Sequence, residues 1–348
     1  MNKINRSILK FAIPSVAIVL SATGCSSDKE SYELANDEER IVTFHLNMPE
    51  YENSTRVSDS NNSTANLLQW SIYEVSTDES GETSYIHLGD ESSTTALVSN
   101  KASLSMTLAK GRIYMVTFFA KNSANNVVTY EDGVMTIDYN HTDAISHNLN
   151  AFTGKVTLKN DGNSEVTVDL YRKLSFVGWY CRDLYGNSTT NIGWYVFSKD
   201  ADARKIKYNL KINTPVFTTY DLRTDEISGE QENLEYMGRS IYNGTSLVES
   251  SDSKESLNST TYYLVCYNYL LTKAATSQGV IDMELEFYHP DIEDYNIKVT
   301  SNSIPVRQNY KTNIFGNFLT NGEIFGVTMQ RDFDDNLTDE INPLSGTK

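Results

Sequence analysis

Polar and apolar residues alternate along most of this chain. At 41–48 the order Ile-Val-Thr-Phe-His-Leu-Asn-Met puts Val42, Phe44, Leu46 and Met48 on one face. Thr43, His45 and Asn47 fall on the other, so His45 is expected in solvent. A period of two marks a strand with one buried side. Leu68, Trp70 and Ile72 repeat the pattern, and so do Leu104, Met106 and Leu108. Further strands are expected at 113–120, 134–139, 156–158, 166–170, 195–198, 206–212, 216–220, 262–271, 283–288, 295–299 and 323–329. Short polar turns separate them, among them Asp132-Gly133 and 160–163, of the kind that close hairpins. No long segment has clean helical periodicity. Many short strands at regular spacing predict an all-β sandwich architecture. The Ser-, Glu- and Asp-rich stretch 246–260 is expected to be a mobile loop. Polar residues 147–150 separate two strand-rich blocks and place a boundary near Phe152. This divides the chain into one sandwich over 40–152, a second over 153–335 and an acidic tail over 336–348.

The first 24 residues stand apart from this pattern. Lys3, Arg6 and Lys10 precede an apolar run, 11–20, interrupted by Pro14. The run is shorter than the roughly 20 apolar residues that a membrane-spanning helix needs. A basic start, a short apolar middle and a small-residue end make an export signal. It finishes Ser21-Ala22-Thr23-Gly24-Cys25, which resembles a bacterial lipobox, with Ala22 where Leu is more usual. The expected cut lies between Gly24 and Cys25, and the Cys25 sulfur would then carry a diacylglycerol. Several acyl chains, at about 0.8 kcal/mol per buried CH₂, hold firmly. Residues 25–39 are polar and charged and read as a flexible tether.

Composition narrows the classes. The 348 residues are 39% apolar, ample for a core, so the chain is not a disordered one. The formal charge is −17, and loss of Lys3, Arg6 and Lys10 with the signal deepens it to −20. Such a body is repelled by nucleic acid and by a bare anionic membrane. Three cysteines cannot staple a mini-scaffold, and five histidines make a His-rich metal site improbable.

Catalytic motifs are absent. The sequence has no G-x-S-x-G, no H-E-x-x-H and no P-loop. Ser7-Ile8-Leu9-Lys10 matches S-x-x-K but falls inside the signal. Asp332, Asp334 and Asn336 open like a calcium loop, but Leu337 replaces the required Gly and Pro343 the closing Glu. The histidines show no ligand spacing, and the acid pairs Asp221/Asp225 and Asp291/Glu293 read as solvated loop charges. No enzyme activity, metal or cofactor is therefore expected. With Cys25 assigned to lipid, Cys181 and Cys266 are either a disulfide, stable in an oxidising compartment, or two small buried thiols. Trp179-Tyr180 and Trp194-Tyr195 are either a sugar-stacking platform or sandwich core.

Several spaced blocks carry a family resemblance. Ser54-Thr55-Arg56, then Ser63-Thr64-Ala65 and Trp70-Ser71-Ile72-Tyr73-Glu74, resemble the opening of Bacteroidota fimbrillins. In those proteins a "TR" turn leads through "TTA" into a strand ending "VYD". Leu108-Ala109-Lys110-Gly111-Arg112-Ile113-Tyr114 and Thr117-Phe118-Phe119-Ala120-Lys121-Asn122 resemble their next two blocks. The stretch 263–271 is similar to a later family strand, and 304–320 is the most specific match. Ser26-Ser27-Asp28-Lys29-Glu30 also resembles the acidic signal that sends Bacteroidota lipoproteins to the outer face of the outer membrane. The resemblance implies two tandem transthyretin-like β-sandwiches after a lipoprotein signal. It implies a pilus stalk, anchor or tip subunit whose partners are other pilus subunits, the outer membrane and a host or bacterial surface ligand. In the stalk members of that family an Arg-specific protease cuts after an arginine beyond the first strand, which leaves with the lipid, and a neighbour's strand fills the gap. Arg56, in a polar loop, is the candidate processing site. The acidic, non-alternating 333–343 looks like a loose tail, which favours a base, tip or unprocessed subunit over a stalk. A surface glycan-binding lipoprotein of a nutrient-uptake system is the alternative.

Overall fold

The alternation at 41–48 becomes a strand, β1 (Glu39–Asn47), whose exposure pattern follows the period of two. The structure is a computed structural model that describes residues 38–48, 65–93, 101–140, 151–161, 165–183, 205–243, 246–247, 254–273, 279–331 and 338–341. After β1 come β2 (Leu67–Thr77), β3 (Thr83–Ser93), β4 (Lys101–Ala109) and β5 (Ile113–Lys121). A short hairpin follows, β6 (Val128–Glu131) and β7 (Val134–Ile137), and then β8 (Ala151–Lys159), β9 (Glu165–Asp169) and β10 (Tyr171–Arg172). The second half holds β11 (Leu174–Cys181), β12 (Lys207–Ile212), β13 (Val216–Asp221), β14 (Glu226–Gln231) and β15 (Leu234–Ser240). A small ladder pairs β16 (Tyr242–Asn243) with β17 (Ser246–Leu247), and β18 (Lys254–Leu257) turns into β19 (Thr260–Leu271). The last strands are β20 (Gly279–His289), β21 (Ile292–Val306), β22 (Tyr310–Asn317), β23 (Glu323–Arg331) and β24 (Thr338–Ile341). The described residues contain no α-helix, so the all-β reading holds.

Two sandwiches result. In the first, the sheet β4-β1-β9 faces the sheet β10-β8-β5-β2-β3. Val42, Phe44 and Leu46 meet Leu68, Trp70, Ile72, Val116 and Phe118 in one core. In the second, a long sheet, β24-β23-β22-β11-β19-β13-β7-β6, shares a core with the sheet β15-β12-β20-β21.

The boundary expected near Phe152 falls inside β8. Strands β8, β9 and β10 pair with β5, β1 and β8, so the first sandwich runs on to Arg172. The reason is that β9 closes the first core by running parallel to β1, and parallel partners are distant in sequence. Conversely, β6 and β7 precede Phe152 but extend the second sheet, where Thr136 lies opposite Thr219. The loop expected over 246–260 contains β18, whose Glu255 is buried. The tail expected over 336–348 contributes β24, which pairs with the open edge of β23. An unpaired edge is a ready template for such a strand.

The β6–β7 hairpin locks the sandwiches together. Asp132 and Gly133 both have positive φ, 46° and 71°, as a two-residue type I′ turn requires. A Cβ on Gly133 would stand 2.5 Å from the Tyr73 hydroxyl, so the turn also needs the missing side chain. Tyr130 stacks on Phe119 with centroids 5.1 Å apart. Its hydroxyl lies 2.8 Å from the Ser71 hydroxyl and 2.7 Å from that of Thr117. Burial pushes the Tyr130 phenol up to about 12. Charges complete the junction. Arg223 pairs with Asp221 at 2.7 Å and reaches Asp132 at 3.7 Å, while Lys155 pairs with Asp225 at 2.6 Å. Asp221 is thus a half-buried clamp, and Asp225, though exposed, is held in an ion pair, where two free solvated loop charges were expected. Burial pushes both carboxyls up. The Arg223 contacts on Asp221, and those of Lys155 and Tyr220 on Asp225, outweigh it and hold both below the ordinary carboxylate range.

Two outcomes are expected. Gly133→Ala should lower stability by about 1–3 kcal/mol through strain and overlap with Tyr73. Gly81→Ala, with φ 86° and open space around it, should lose less. Urea midpoints of the two variants check this. A carboxyl depressed on folding stabilises above its unfolded value, about 3.9, and that contribution is lost as pH falls through the depressed value. Acidification from about pH 5 to about pH 2 should therefore loosen the junction. Amide exchange in β7 and β13, corrected for intrinsic rates, measures it; protection unchanged over that range would contradict it.

Candidate functional site

The first strand is the middle one of its sheet. Thr43 lies opposite Ser105 of antiparallel β4 on one side and Glu165 of parallel β9 on the other. In that sheet β4 and β9 have no partner besides β1 among the described residues. Taking β1 away would leave two parted edges, each with its backbone N–H and C=O groups open. Neighbouring strands stand about 4.8 Å apart, so the gap would accept one strand and no more.

Side chains make the fit directional. Val42 and Phe44 are 0% exposed and Leu46 is 1% exposed. Phe44 packs against Phe118 with ring centroids 5.5 Å apart. The outer face is tied by polar pairs: the Thr43 and Ser105 hydroxyls at 2.9 Å, and His45 Nδ1 with Ser103 Oγ at 3.0 Å. Asn47 donates to Asp169 at 3.0 Å. At the entry Lys110 pairs with Glu38 at 2.9 Å. This contact, the Arg40 charge beside it and the Lys110 charge hold the exposed Glu38 carboxyl below its ordinary value. The surface suits sequence-specific capture of one alternating strand.

The remaining candidates separate. Gly24, Cys25 and Arg56 lie outside the described residues, as do Trp194, Tyr195 and the segment from Asp332 to Leu337. Met48 ends the described part of the first strand, and Arg56 follows eight positions later in the sequence. Trp179 and Tyr180 are buried, against Phe318 at 5.3 Å and Phe315 at 5.6 Å, and so belong to the core. Cys181 and Cys266 are buried on the adjacent strands β11 and β19, with no disulfide between them. His45 is 41% exposed on the outer face of β1. No group of three or more His, Cys, Asp or Glu among the described residues is placed to hold a metal ion. No helix there is long and apolar enough to cross a membrane. A surface hollow of about 410 Å³ lies beside β20 and β21. Its Glu286 carboxylate accepts from Asn209 at 2.7 Å and Asn296 at 2.8 Å.

The partner strand β9 escaped the sequence reading as a site element. Val166 and Val168 alternate as in any half-buried strand, and nothing local tells which distant strand they join.

Comparison with known proteins places the chain. No protein with a curated description matches it. A candidate cell adhesion protein from Bacteroides ovatus is similar over 86% of this chain and 97% of its own, at 14% identity and a TM-score of 0.46. A fimbrial assembly protein from Parabacteroides distasonis is similar over 84% and 96%, at 13% identity and 0.39. The fimbrial anchor protein Mfa2 from Porphyromonas gingivalis is similar over 83% and 97%, at 11% identity and 0.34. None of these three likenesses assigns a role. A family model, by contrast, matches residues 34–344 continuously, and the chain belongs to that family, DUF6562, a family of unknown function.

Proposed function

We propose that this chain is a fimbrillin-like surface subunit of a pilus, acting as a structural, anchor or tip component in cell adhesion. It assembles by β-strand exchange into the cleft that β1 fills, with other pilus subunits as partners. One observation carries the reading. The first strand is both the middle of its sheet and a wall of the core, so its removal opens a cleft with one strand's worth of hydrogen bonds and apolar pockets. The fimbrillin-like blocks around 54–74, 108–122 and 304–320 support it. So does Arg56, placed after β1 where a cut would sever that strand from the rest. Cys25 is the lipid attachment point that holds the subunit at the outer membrane. Because β24 pairs with β23 of its own chain, an anchor, tip or unprocessed role suits it better than a stalk role. The glycan-binding alternative loses the Trp179-Tyr180 half of its aromatic platform to the core.

Arg-specific proteolysis of the mature protein should release a fragment ending at Arg56. N-terminal sequencing of the remainder should then begin at Val57, and a product that stays full-length would sink the processing idea. Phe44→Ala in the unprocessed chain should cost about 3–5 kcal/mol. Thr43→Ala, on the outer face, should stay within about 1 kcal/mol. Denaturant titration separates the two, and equal losses would contradict the inward-facing cleft.

A further inference from the structure

The second sandwich hides an amine and a carboxyl in contact. Lys311 on β22 and Glu255 on β18 are 4% and 5% exposed, and Lys311 Nζ lies directly against Glu255 Oε1. The amine also sits 5.8 Å from the ring centre of Phe176 and 5.7 Å from that of Tyr180. Strand β18 pairs with β19, and β22 with β11 and β23, so these two side chains bridge strands that share no ladder. A buried ion pair carries a desolvation cost of several kcal/mol per ion. Elsewhere in the chain, charged pairs such as Lys205–Asp291 remain in water, with both side chains 56% exposed.

We propose that Lys311 and Glu255 condense to an isopeptide amide that staples β18 to β22. Proton transfer within the pair gives a neutral amine and a neutral acid. The amine lone pair attacks the carboxyl carbon and forms the C–N bond. The C–O bond to the hydroxyl breaks, and the hydroxyl leaves with an amine proton as one water. No oxidant, reductant or activating group takes part. In open water this condensation runs uphill. Here the reactants are held in contact, which is equivalent to effective molarities of about 10⁵–10⁸ M in well-oriented systems. The charged starting state is also already penalised by burial. The product amide keeps one N–H. Gln330 lies directly opposite Lys311 on β23, and its buried Oε1 has no hydrogen-bond partner among the described residues. The bond would close a chain loop between positions 255 and 311 and resist pulling between β18 and β22. It does not depend on the strand-exchange reading.

Peptide mapping of the full-length protein by mass spectrometry, after complete denaturation and digestion, tests it. The expected product is a branched peptide containing Lys311 and Glu255, with a mass one water below the sum of its two parts. Recovery of Lys311 and Glu255 only in separate linear peptides would overturn the proposal. Lys311→Arg should abolish the branched peptide, while Glu255→Gln can still form it by releasing ammonia. A branch at Glu255 persisting in Lys311→Arg would also overturn it. The wild-type map decides by itself, so a variant that fails to fold leaves the result intact.

Discussion

The first sandwich depends on one strand being in the middle. Strand β1 satisfies the backbone of β4 on one side and of β9 on the other, and it lines the core with Val42, Phe44 and Leu46. Each of these roles alone is ordinary. Together they mean that loss of one nine-residue strand exposes two strand edges and an apolar furrow at once. Both exposures are costly in water. The same cost makes the vacated cleft a strong and selective receiver for another alternating strand. A strand at the sheet's edge would leave only one edge open and would select less.

A second constraint keeps that event local. The opposite face of the sheet that β1 packs on is covered by the β6–β7 hairpin, through Tyr130, Ser71 and Thr117. That hairpin belongs to the second sheet. The five-stranded sheet is therefore held on its far side by a polar, charge-clamped junction that β1 does not touch. Losing β1 would open the first core from the β1 side while the junction with the second sandwich stays in place.

Much of this was legible in the sequence, and the failures have physical causes. The alternation at 41–48, 68–72 and 104–108 survives in the exposure of Val42, Leu68 and Met106, because those strands have one wet or polar side. Strand β11 did not announce itself. All eight of its residues are buried, so it has no alternation, and strands covered on both faces lose the period-two signal. The boundary at Phe152 went wrong because sequence order says nothing about a long-range parallel pairing such as β1 with β9. Glu255 looked like a loop charge because composition cannot see a partner such as Lys311 arriving from far along the chain. Of the proposed site, the strand was readable from its own residues; its two neighbours were a matter of topology.

The central claim is that β1 alone holds β4 and β9 in place and can be replaced there. Hydrogen exchange of the amides in Lys101–Ala109 and Glu165–Asp169, before and after Arg-specific trimming, tests it most directly. The account predicts slow exchange in the intact chain, fast exchange after trimming, and slow exchange again when a peptide matching residues 39–48 is added. Amides that stay protected after trimming, or that stay fast with the peptide bound in excess, would contradict it.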